Sequence, residues 1–364
     1  MSRAPSLQFF RKRRPPPGAH PGEIAHEPAA GPTRWRALHY DADGVDEIDE
    51  PTVEGLAALR ERPGVLWIDV QGLGDGALVQ QLGDALSLHP LAVADVFHPP
   101  QRPKTEPYPD FVFVVARTPL IRNDAPLRLE QLSLFYGKGW ALTIQQEPGE
   151  LLDSVRSHIL GNRGVIRSEG ADYLAYAVVD AAIDAYFPLL DALGDDLAEL
   201  EDEALERPTK SVIRRNNRVR SSLLALHRVL LPQKEALHGL CRLEAPLVSD
   251  TVRLYLRDTA DHCQQVADVI DSYREVVIGI AGTWASSVDN YANEVMRALT
   301  VVASLFIPLN FVAALYGMNF KYMPELDLPY GYPAVLAAMA CVAAGMLIYF
   351  YRKGWLRRPE DEDE

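Results

Sequence analysis

Two stretches without charged residues near the C-terminus constrain this chain more than any other feature. Residues 298–316 and 331–351 contain no Asp, Glu, Lys or Arg over 19 and 21 positions. Each stretch is long enough to cross the hydrocarbon layer of a bilayer as an α-helix, which satisfies its own backbone polar groups. Two such stretches side by side predict two transmembrane helices rather than two buried core helices.

Positive charge flanks these stretches on their outer sides and is scarce between them. Arg297 precedes the first, and basic residues follow the second at Arg352, Lys353, Arg357 and Arg358. The loop at 317–330 contains one basic residue, Lys321, against Glu325 and Asp327. The positive-inside rule therefore predicts a multi-pass protein of the cell (inner) membrane, with both termini in the cytoplasm and the loop outside.

Composition limits the partners that such a protein can have. The formal net charge of −14 argues against nucleic acid, because neutralising phosphates requires a basic surface. Cys241, Cys263 and Cys341 are far apart and form no C-x-x-C pair, so we expect reduced thiols rather than a disulfide framework or zinc site. No cofactor motif is recognised.

The chain before the first span divides into three parts. Residues 1–33, rich in Pro, Gly and Ala, are predicted to be a disordered tail; the basic run at 11–14 could contact anionic lipid or be an inert solvated segment. Residues 34–166 are predicted to be an α/β domain, with strands at 65–70 and 111–116 and a hairpin at 129–145. Gly72, Gly74 and Gly76 have the spacing of a plain turn rather than a nucleotide-binding loop.

Residues 167–297 are predicted to form a helical hairpin and a long stalk helix. Residues 191–206 contain eight acidic residues and no base, and residues 210–228 contain six bases and no acid, so the two helices should pair antiparallel. The acidic face could instead concentrate cations. The stalk has apolar positions at 3–4 spacing, which predicts that a partner helix or several subunits cover them, most economically in a symmetric oligomer. These positions are Val266, Val269, Ile270, Tyr273, Val276, Val277 and Ile280.

The first span has a stripe of small and polar residues, which is typical of tight helix packing or of a water-filled pore. Asparagine is costly in hydrocarbon without a partner or water, and Asn310 therefore favours the pore. Apolar members of the stripe could form constrictions that gate the pore by dewetting. The predicted pore-lining residues are Asn293, Met296, Thr300, Ala303, Ile307, Asn310 and Ala314.

The segment after the first span resembles the CorA family of magnesium and cobalt transporters. Gly317-Met318-Asn319 closes the span, the loop continues with 323–326 (Met-Pro-Glu-Leu), and 331–333 (Gly-Tyr-Pro) open the second span. Further matching stretches are 293–296, 257–262 and 89–104. The resemblance extends from about residue 35 to residue 356.

This resemblance implies a funnel-shaped homopentamer with an α/β N-terminal cytoplasmic domain, long stalk helices and two C-terminal transmembrane helices. The first helix (298–316) would line the pore, the loop at 317–330 would lie outside, the second helix (331–351) would surround the first, and residues 352–364 would be a cytoplasmic tail. Gly317, Met318 and Asn319 would form the selectivity filter, near the external loop acid Glu325. Asn319 oxygens could accept hydrogen bonds from the water shell of Mg²⁺, which dehydrates reluctantly.

The resemblance also implies that Mg²⁺ is both substrate and regulatory ligand. Two charges entering an inside-negative cell gain about 4.6 kcal/mol per 100 mV, so influx of Mg²⁺, with Co²⁺ and Ni²⁺ as secondary ions, needs no ATP site. Asp95 and Asp258 of neighbouring subunits would bind intracellular Mg²⁺ and hold the pore shut. Two positions depart from the family pattern: Lys321 follows the filter where an acid is expected, and Gly282 replaces a stalk acid.

Other functions remain open at the sequence level. A zinc transporter of the related ZntB branch is the nearest alternative. Zinc favours nitrogen and sulfur ligands, but the stripe contains neither His nor Cys, and the Met-Pro-Glu-Leu sequence at 323–326 also argues against that branch. A non-conducting membrane scaffold and a membrane-tethered enzyme are alternatives of a different class; no G-x-S-x-G, H-E-x-x-H or P-loop motif occurs.

Overall fold

The structure of the chain is a computed structural model. It describes residues 32–49, 51–120, 127–319, 321, 323–324 and 328–356. The predicted tail up to residue 31, Glu325, and the basic residues Arg357 and Arg358 lie outside the described residues. The chain divides into two compact units. The first extends to Glu201 and includes Ile213–Gly279, and the second consists of Asp202–Val212 and the chain from Ile280 onward.

A mixed sheet of seven strands forms the centre of the first unit. The strands are β1 (Arg34–Tyr40), β2 (Val45–Asp49), β3 (Val65–Gln71), β4 (Lys104–Pro107), β5 (Phe111–Leu120), β6 (Arg128–Gly137) and β7 (Trp140–Gln145). Their order is β2-β1-β3-β7-β6-β5-β4, and β3–β7 is the parallel pair while the others are antiparallel. The predicted strands at 65–70 and 111–116 and the hairpin at 129–145 are confirmed.

One face of the sheet is covered by short helices. These are α1 (Val53–Arg60), α2 (Gly76–Ala85) and α3 (Pro90–Phe97), and α4 (Asp153–Leu160) follows β7. Apolar side chains of β3, β5 and β7 pack with α2 and α3 in a single core cluster, with Ile68, Phe113 and Phe135 completely buried. The glycine-rich segment forms a turn, as predicted: Gly72 has φ +91° and Asp75 caps α2 through Leu78 N.

The other face of the sheet is covered by α5 (Ala171–Asp184), whose Leu174, Val178 and Ile183 are buried. This packing explains why 171–206 is apolar enough to resemble a third membrane span. Its apolar side chains are used in the core of the first unit.

The predicted antiparallel hairpin consists of α6 (Tyr186–Glu206) and α7 (Lys210–Cys241). Arg215 of α7 pairs with Asp196 and with Glu199 of α6, the latter at 2.5 Å. Oppositely charged helices that are neighbours in the sequence thus contact each other along their charged faces. Each exposed pair is worth only a few tenths of a kcal/mol to about 1 kcal/mol, so the pairs select orientation more than they stabilise.

The stalk is α8 (Asp250–Tyr316), a continuous helix of 67 residues. Part of its apolar seam is covered within the chain: Val266, Ile270 and Val277 are at most 1% exposed, whereas Val276 is 36% exposed. Asn216 of α7 donates a hydrogen bond to the backbone oxygen of Val277. A partner helix of the same chain therefore covers this part of the seam, and these buried positions give no argument for an oligomer.

The two predicted spans are helical. The first forms the end of α8, and the second is α9 (Gly331–Arg352). In each helix, the most apolar window of 18 residues has a mean hydropathy of 2.1, and only 6% of that window is buried within the chain. Apolar surface of this extent is costly in water and favourable in lipid, so these helices are suited to a bilayer.

Candidate ion pathway and a carboxylate–histidine cluster

The predicted pore stripe lies on an uncovered face at the end of α8. Asn293, Met296, Thr300, Ile307, Asn310 and Ala314 are exposed, and Ala303 is half-buried. The hydroxyl of Thr300 donates a hydrogen bond to the backbone oxygen of Met296 at 2.8 Å. This bond leaves the hydroxyl oxygen as an acceptor, which is the polarity that a hydrated cation requires.

Gly317-Met318-Asn319 forms the turn that ends α8. The amide of Gly317 donates to the backbone oxygen of Ala313 at 3.0 Å, and the amide of Met318 donates to that of Leu315 at 3.3 Å. A Cβ at Gly317 would lie 3.3 Å from the Ala313 oxygen, a tight contact. Asn319 follows with an exposed side chain directly beyond the last helical turn. The end of α8 therefore places the exposed carboxamide of Asn319 at the end of the stripe.

Aromatic side chains mark both ends of α9. Tyr330 and Tyr332 lie at its beginning and are 79% and 78% exposed, and Tyr349 and Tyr351 lie at its end, each 56% exposed. Just after the helix, Trp355 stacks on Phe350 with ring centroids 5.5 Å apart. Tyr and Trp concentrate where membrane meets water, so these positions match the two interfaces of a span.

Asp95 is held near the end of the short helix α3. The His89 ring nitrogen Nδ1 caps this helix by accepting from Leu91 N at 3.2 Å, and Pro90 provides the first helical residue. The Gln131 side chain donates to the backbone oxygen of Asp95 at 3.2 Å and accepts from Gln101 N at 2.9 Å. The 89–104 segment is therefore fastened to the sheet at several points.

The carboxylate of Asp95 has a cationic partner in the chain. Lys104 Nζ at the start of β4 lies 2.7 Å from Asp95 Oδ2 and 2.7 Å from Glu106 Oε1. Partial burial lowers the pKa of Lys104, but the bonds to the two carboxylates outweigh it and leave the pKa above its ordinary value. Asp258 lies on α8, its side chain is 73% exposed, and its Oδ2 lies 3.8 Å from Nε2 of His262. Asp95 and Asp258 thus have different partners within one chain.

Asp258 instead belongs to a cluster between α5 and α8. Ligand atoms of Asp180, Asp184 and His262 lie within 4.8 Å of one another, close enough to share one metal ion. His262 Nδ1 is 3.7 Å from Asp184 Oδ1, and His262 Nε2 is 3.8 Å from Asp258 Oδ2. The Thr259 hydroxyl donates to Asp180 Oδ1 at 2.6 Å. We call Asp180, Asp184, Asp258 and His262 the α5–α8 cluster.

The electrostatics of the α5–α8 cluster favour a bound cation. Burial raises the pKa of Asp180, and the nearby carboxylates of Asp184 and Asp258 raise it further, against the lowering effects of Thr259 and His262. Three carboxylates face one imidazole, whose buried Nδ1 has no hydrogen-bond partner. A cation held there would reduce the repulsion between the carboxylates and could be bound by the ring nitrogen that has no hydrogen-bond partner.

Sequence reasoning missed Asp180, Asp184, His262 and Lys104 as site residues. One signal was available: Asp180 and Asp184, four residues apart, interrupt an otherwise apolar run between Leu174 and Phe187, and such a pair lies on one helix face. Their approach to His262 could not be predicted, since it depends on how α5 packs against α8.

Residues 63–352 match the protein-family model described as CorA-like Mg²⁺ transporter protein. This range contains Asp95, the α5–α8 cluster, the stripe and the Gly317-Met318-Asn319 turn. The chain belongs to the CorA family. Members of this family are transporters, which excludes the alternative of a membrane-tethered enzyme.

Among CorA relatives, the cobalt/magnesium transport protein CorA of Thermotoga maritima is 39% identical over 320 residues, which cover 88% of this chain and 91% of that protein. The complete structure of the CorA magnesium transporter from Methanocaldococcus jannaschii matches with a TM-score of 0.75 at 22% identity, covering 89% of this chain and 99% of that one. The predicted CorA-type fold of an α/β domain, long helices and two terminal apolar helices is confirmed.

The cytoplasmic domain of ZntB from Vibrio parahaemolyticus has a similar fold. Its TM-score is 0.57 at 14% identity, and the match covers 71% of this chain and 99% of that domain. At this identity the likeness concerns the fold alone. The fold of the first unit therefore does not distinguish a magnesium transporter from a zinc transporter.

Proposed function

We propose that the chain is a channel that admits Mg²⁺, with Co²⁺ and Ni²⁺ as secondary ions, down the membrane potential, and that intracellular Mg²⁺ closes it. The observation that carries this proposal is the exposed Asn319 at the end of an uncovered stripe of small and polar residues on α8. The family membership and the cobalt/magnesium transport named for the Thermotoga maritima relative support the choice of ions.

The stripe suits a hydrated divalent ion because it offers neutral oxygen atoms. Asn293, Thr300, Asn310 and Asn319 present carboxamide or hydroxyl oxygens, and Met296 and Ile307 present apolar bulk. Neutral oxygens can accept hydrogen bonds from the water shell of Mg²⁺ without removing it, whereas a ring of carboxylates would bind the ion more tightly and release it more slowly. Gly317, Met318 and Asn319 would form the selectivity filter.

The orientation of the pathway is proposed from charge. Arg297, Arg352 and Lys353 would lie at the cytoplasmic surface, and the loop with the filter would lie outside. Lys321 in this loop is exposed and would weaken the attraction of cations to the outer mouth. Glu325 would counteract it, a role that rests on the sequence.

A homopentamer is proposed because one chain leaves apolar surface of α8 uncovered outside the membrane stretch. Ile278, Tyr291 and Val295 are 66%, 67% and 51% exposed although they precede the span. Packing of α8 against the same helix of neighbouring protomers would remove this surface from water and surround the pore with five stripes.

Regulation is proposed to occur through Asp95 of one subunit and Asp258 of the next, with the α5–α8 cluster completing the binding region around Asp258. A divalent ion bound there would neutralise repelling carboxylates and hold subunits together. Loss of the ion would free them to move, so that intracellular Mg²⁺ shifts the channel toward its closed state.

The imidazole of His262 supports a second candidate function. Mg²⁺ prefers oxygen ligands alone, whereas Zn²⁺, Co²⁺ and Ni²⁺ bind imidazole readily. The α5–α8 cluster combines carboxylates with one imidazole, which is compatible with a transition metal as regulator or, in a ZntB-like transporter, as cargo.

An ion panel in liposomes tests the proposal. Purified protein is reconstituted, and uptake of Mg²⁺, Co²⁺, Ni²⁺ and Zn²⁺ is measured with a potassium diffusion potential, with a pH gradient, and with neither. We expect voltage-driven uptake of Mg²⁺ and Co²⁺. Uptake of Zn²⁺ driven by the pH gradient, without uptake of Mg²⁺, would establish the second candidate instead.

A further inference from the structure

Lys104 lies where a divalent cation at Asp95 would lie. Its ammonium nitrogen is 2.7 Å from one oxygen of Asp95 and 2.7 Å from one oxygen of Glu106. The side chains of Lys104, Asp95 and Glu106 are 27%, 28% and 40% exposed, so the three charges interact across a partly dehydrated surface. An ammonium and a metal ion compete for the same carboxylate oxygens.

The position of the ammonium is built into the fold. Lys104 and Glu106 are two residues apart on β4, the edge strand of the sheet, and therefore point to the same face. Lys104 Nζ lies over the ring of Phe113 on β5, 5.3 Å from the ring centroid. Asp95 reaches this face from α3. Strand geometry, a ring face and two carboxylates thus hold the ammonium in place.

We propose that the ammonium of Lys104 competes with a divalent cation for the carboxylate of Asp95, and that Glu106 binds this ammonium when the cation occupies Asp95. In the ion-free chain, Lys104 neutralises Asp95. When an ion binds Asp95, the ammonium keeps its bond to Glu106 and gives up its bond to Asp95. This inference rests on the proposed regulatory role of Asp95, and it adds a residue that raises the Mg²⁺ concentration needed for closure.

If Lys104 competes with the ion, removing its ammonium lowers the Mg²⁺ concentration at half-saturation. An ordinary structural ion pair does not predict this change. Removing the ammonium in Lys104→Met lowers the Mg²⁺ concentration at half-saturation by roughly twofold to fivefold, since one partly exposed ion pair no longer opposes binding. Glu106→Gln raises that concentration, because the ammonium then remains on Asp95. In the Lys104→Met background, Glu106→Gln has a much smaller effect.

The experiment uses the full-length protein reconstituted in lipid nanodiscs and follows its protection from protease during a Mg²⁺ titration at constant ionic strength. Arg102→Met is the matched control: it removes one positive charge from the same segment, but Arg102 pairs with Glu235 rather than with Asp95. We expect Arg102→Met to behave as the wild type. Lys104→Gln serves as a second variant if Lys104→Met does not fold.

The outcomes separate this inference from the proposed function. If Asp95→Asn weakens Mg²⁺ protection while Lys104→Met and Lys104→Gln leave the midpoint unchanged or raise it, the competition is refuted and the regulatory role of Asp95 stands. If Asp95→Asn has no effect on the midpoint, Asp95 is not a regulatory ligand and both fall. A lowered midpoint in Lys104→Met that disappears in the Asp95→Asn background supports the competition.

Discussion

Asp180 is a partly buried carboxylate with two other carboxylates nearby. It lies at the contact of α5 with α8, its pKa is raised chiefly by burial, and two further carboxylates of the α5–α8 cluster surround it. A residue that stabilises a metal-bound state often destabilises the metal-free protein, because its charge is not compensated until the ion arrives.

Asp180→Asn should therefore stabilise the metal-free protein while weakening its response to metal. The asparagine oxygen can still accept the Thr259 hydrogen bond, but the buried charge is gone. In the presence of EDTA at neutral pH we expect a higher thermal midpoint than in the wild type, and we expect Mg²⁺ or Co²⁺ to raise that midpoint by about half as much or less. Differential scanning fluorimetry measures both.

The sign of this effect depends on pH. A raised pKa in the folded state means that the penalty of Asp180 is absent below its ordinary value of 3.8 and develops as the pH rises through the folded value. The difference between Asp180→Asn and the wild type should thus vanish in acid. Asp84→Asn, which alters an exposed carboxylate of α2, is the control; equal behaviour of the two variants at neutral pH would contradict this account of Asp180.

At the scale of elements, α8 contains two glycines that a regular helix does not need. A Cβ at Gly279 or Gly282 would meet no other atom within 4 Å. Glycine in a helix interior costs about 1 kcal/mol relative to alanine. Both positions therefore weaken the helix without a packing reason, and we interpret them as a segment that loosens the stalk.

Gly279→Ala and Gly282→Ala should each stabilise the helix locally by up to about 1 kcal/mol. Hydrogen exchange of the backbone amides at 275–286 should slow in each variant, while exchange in β5 remains unchanged. If exchange in the wild type is already as slow as in the neighbouring turns of α8, the stalk is not loosened there.

The elements that could be predicted from the sequence are those with a local signal. The span boundaries at Tyr316 and Gly331 follow from uninterrupted apolar runs, and β3 and β5 follow from buried β-branched residues. The strands β1, β2 and β4 were not predicted; β2 and β4 are short edge strands that resemble loops, because they carry exposed charges and β4 contains a proline. The parallel pairing of β3 with β7 joins residues more than seventy positions apart.

The same distinction applies to the candidate sites. The stripe on α8 and the Gly317-Met318-Asn319 turn follow from helical spacing within one segment. The α5–α8 cluster and the pair of Lys104 with Asp95 depend on tertiary contacts that composition and periodicity do not contain. The seam of α8 predicted a partner helix or several subunits, and the choice between them depends on such a tertiary contact, which α7 of the same chain makes at Val277.

At the scale of the whole molecule, the proposed pore requires five copies of the chain. One chain has a mass of 40.4 kDa, so a pentamer has a mass of about 200 kDa. Native mass spectrometry from detergent micelles should show this species as the dominant one. A monomer or dimer that still conducts divalent ions would contradict the proposal that five α8 stripes surround one pore.

The central claim is that Asn319 belongs to the ion pathway. The most direct measurement is the initial rate of voltage-driven Mg²⁺ uptake into liposomes containing the wild type, Asn319→Ala, or Asn217→Ala, which changes an exposed asparagine of α7 as a control. We predict that uptake by Asn319→Ala falls at least about tenfold, because a lost set of acceptors for the hydrated ion raises its barrier by more than about 1.4 kcal/mol. Asn217→Ala should transport like the wild type. Equal Mg²⁺ uptake by Asn319→Ala and the wild type, with both correctly assembled, would contradict the account.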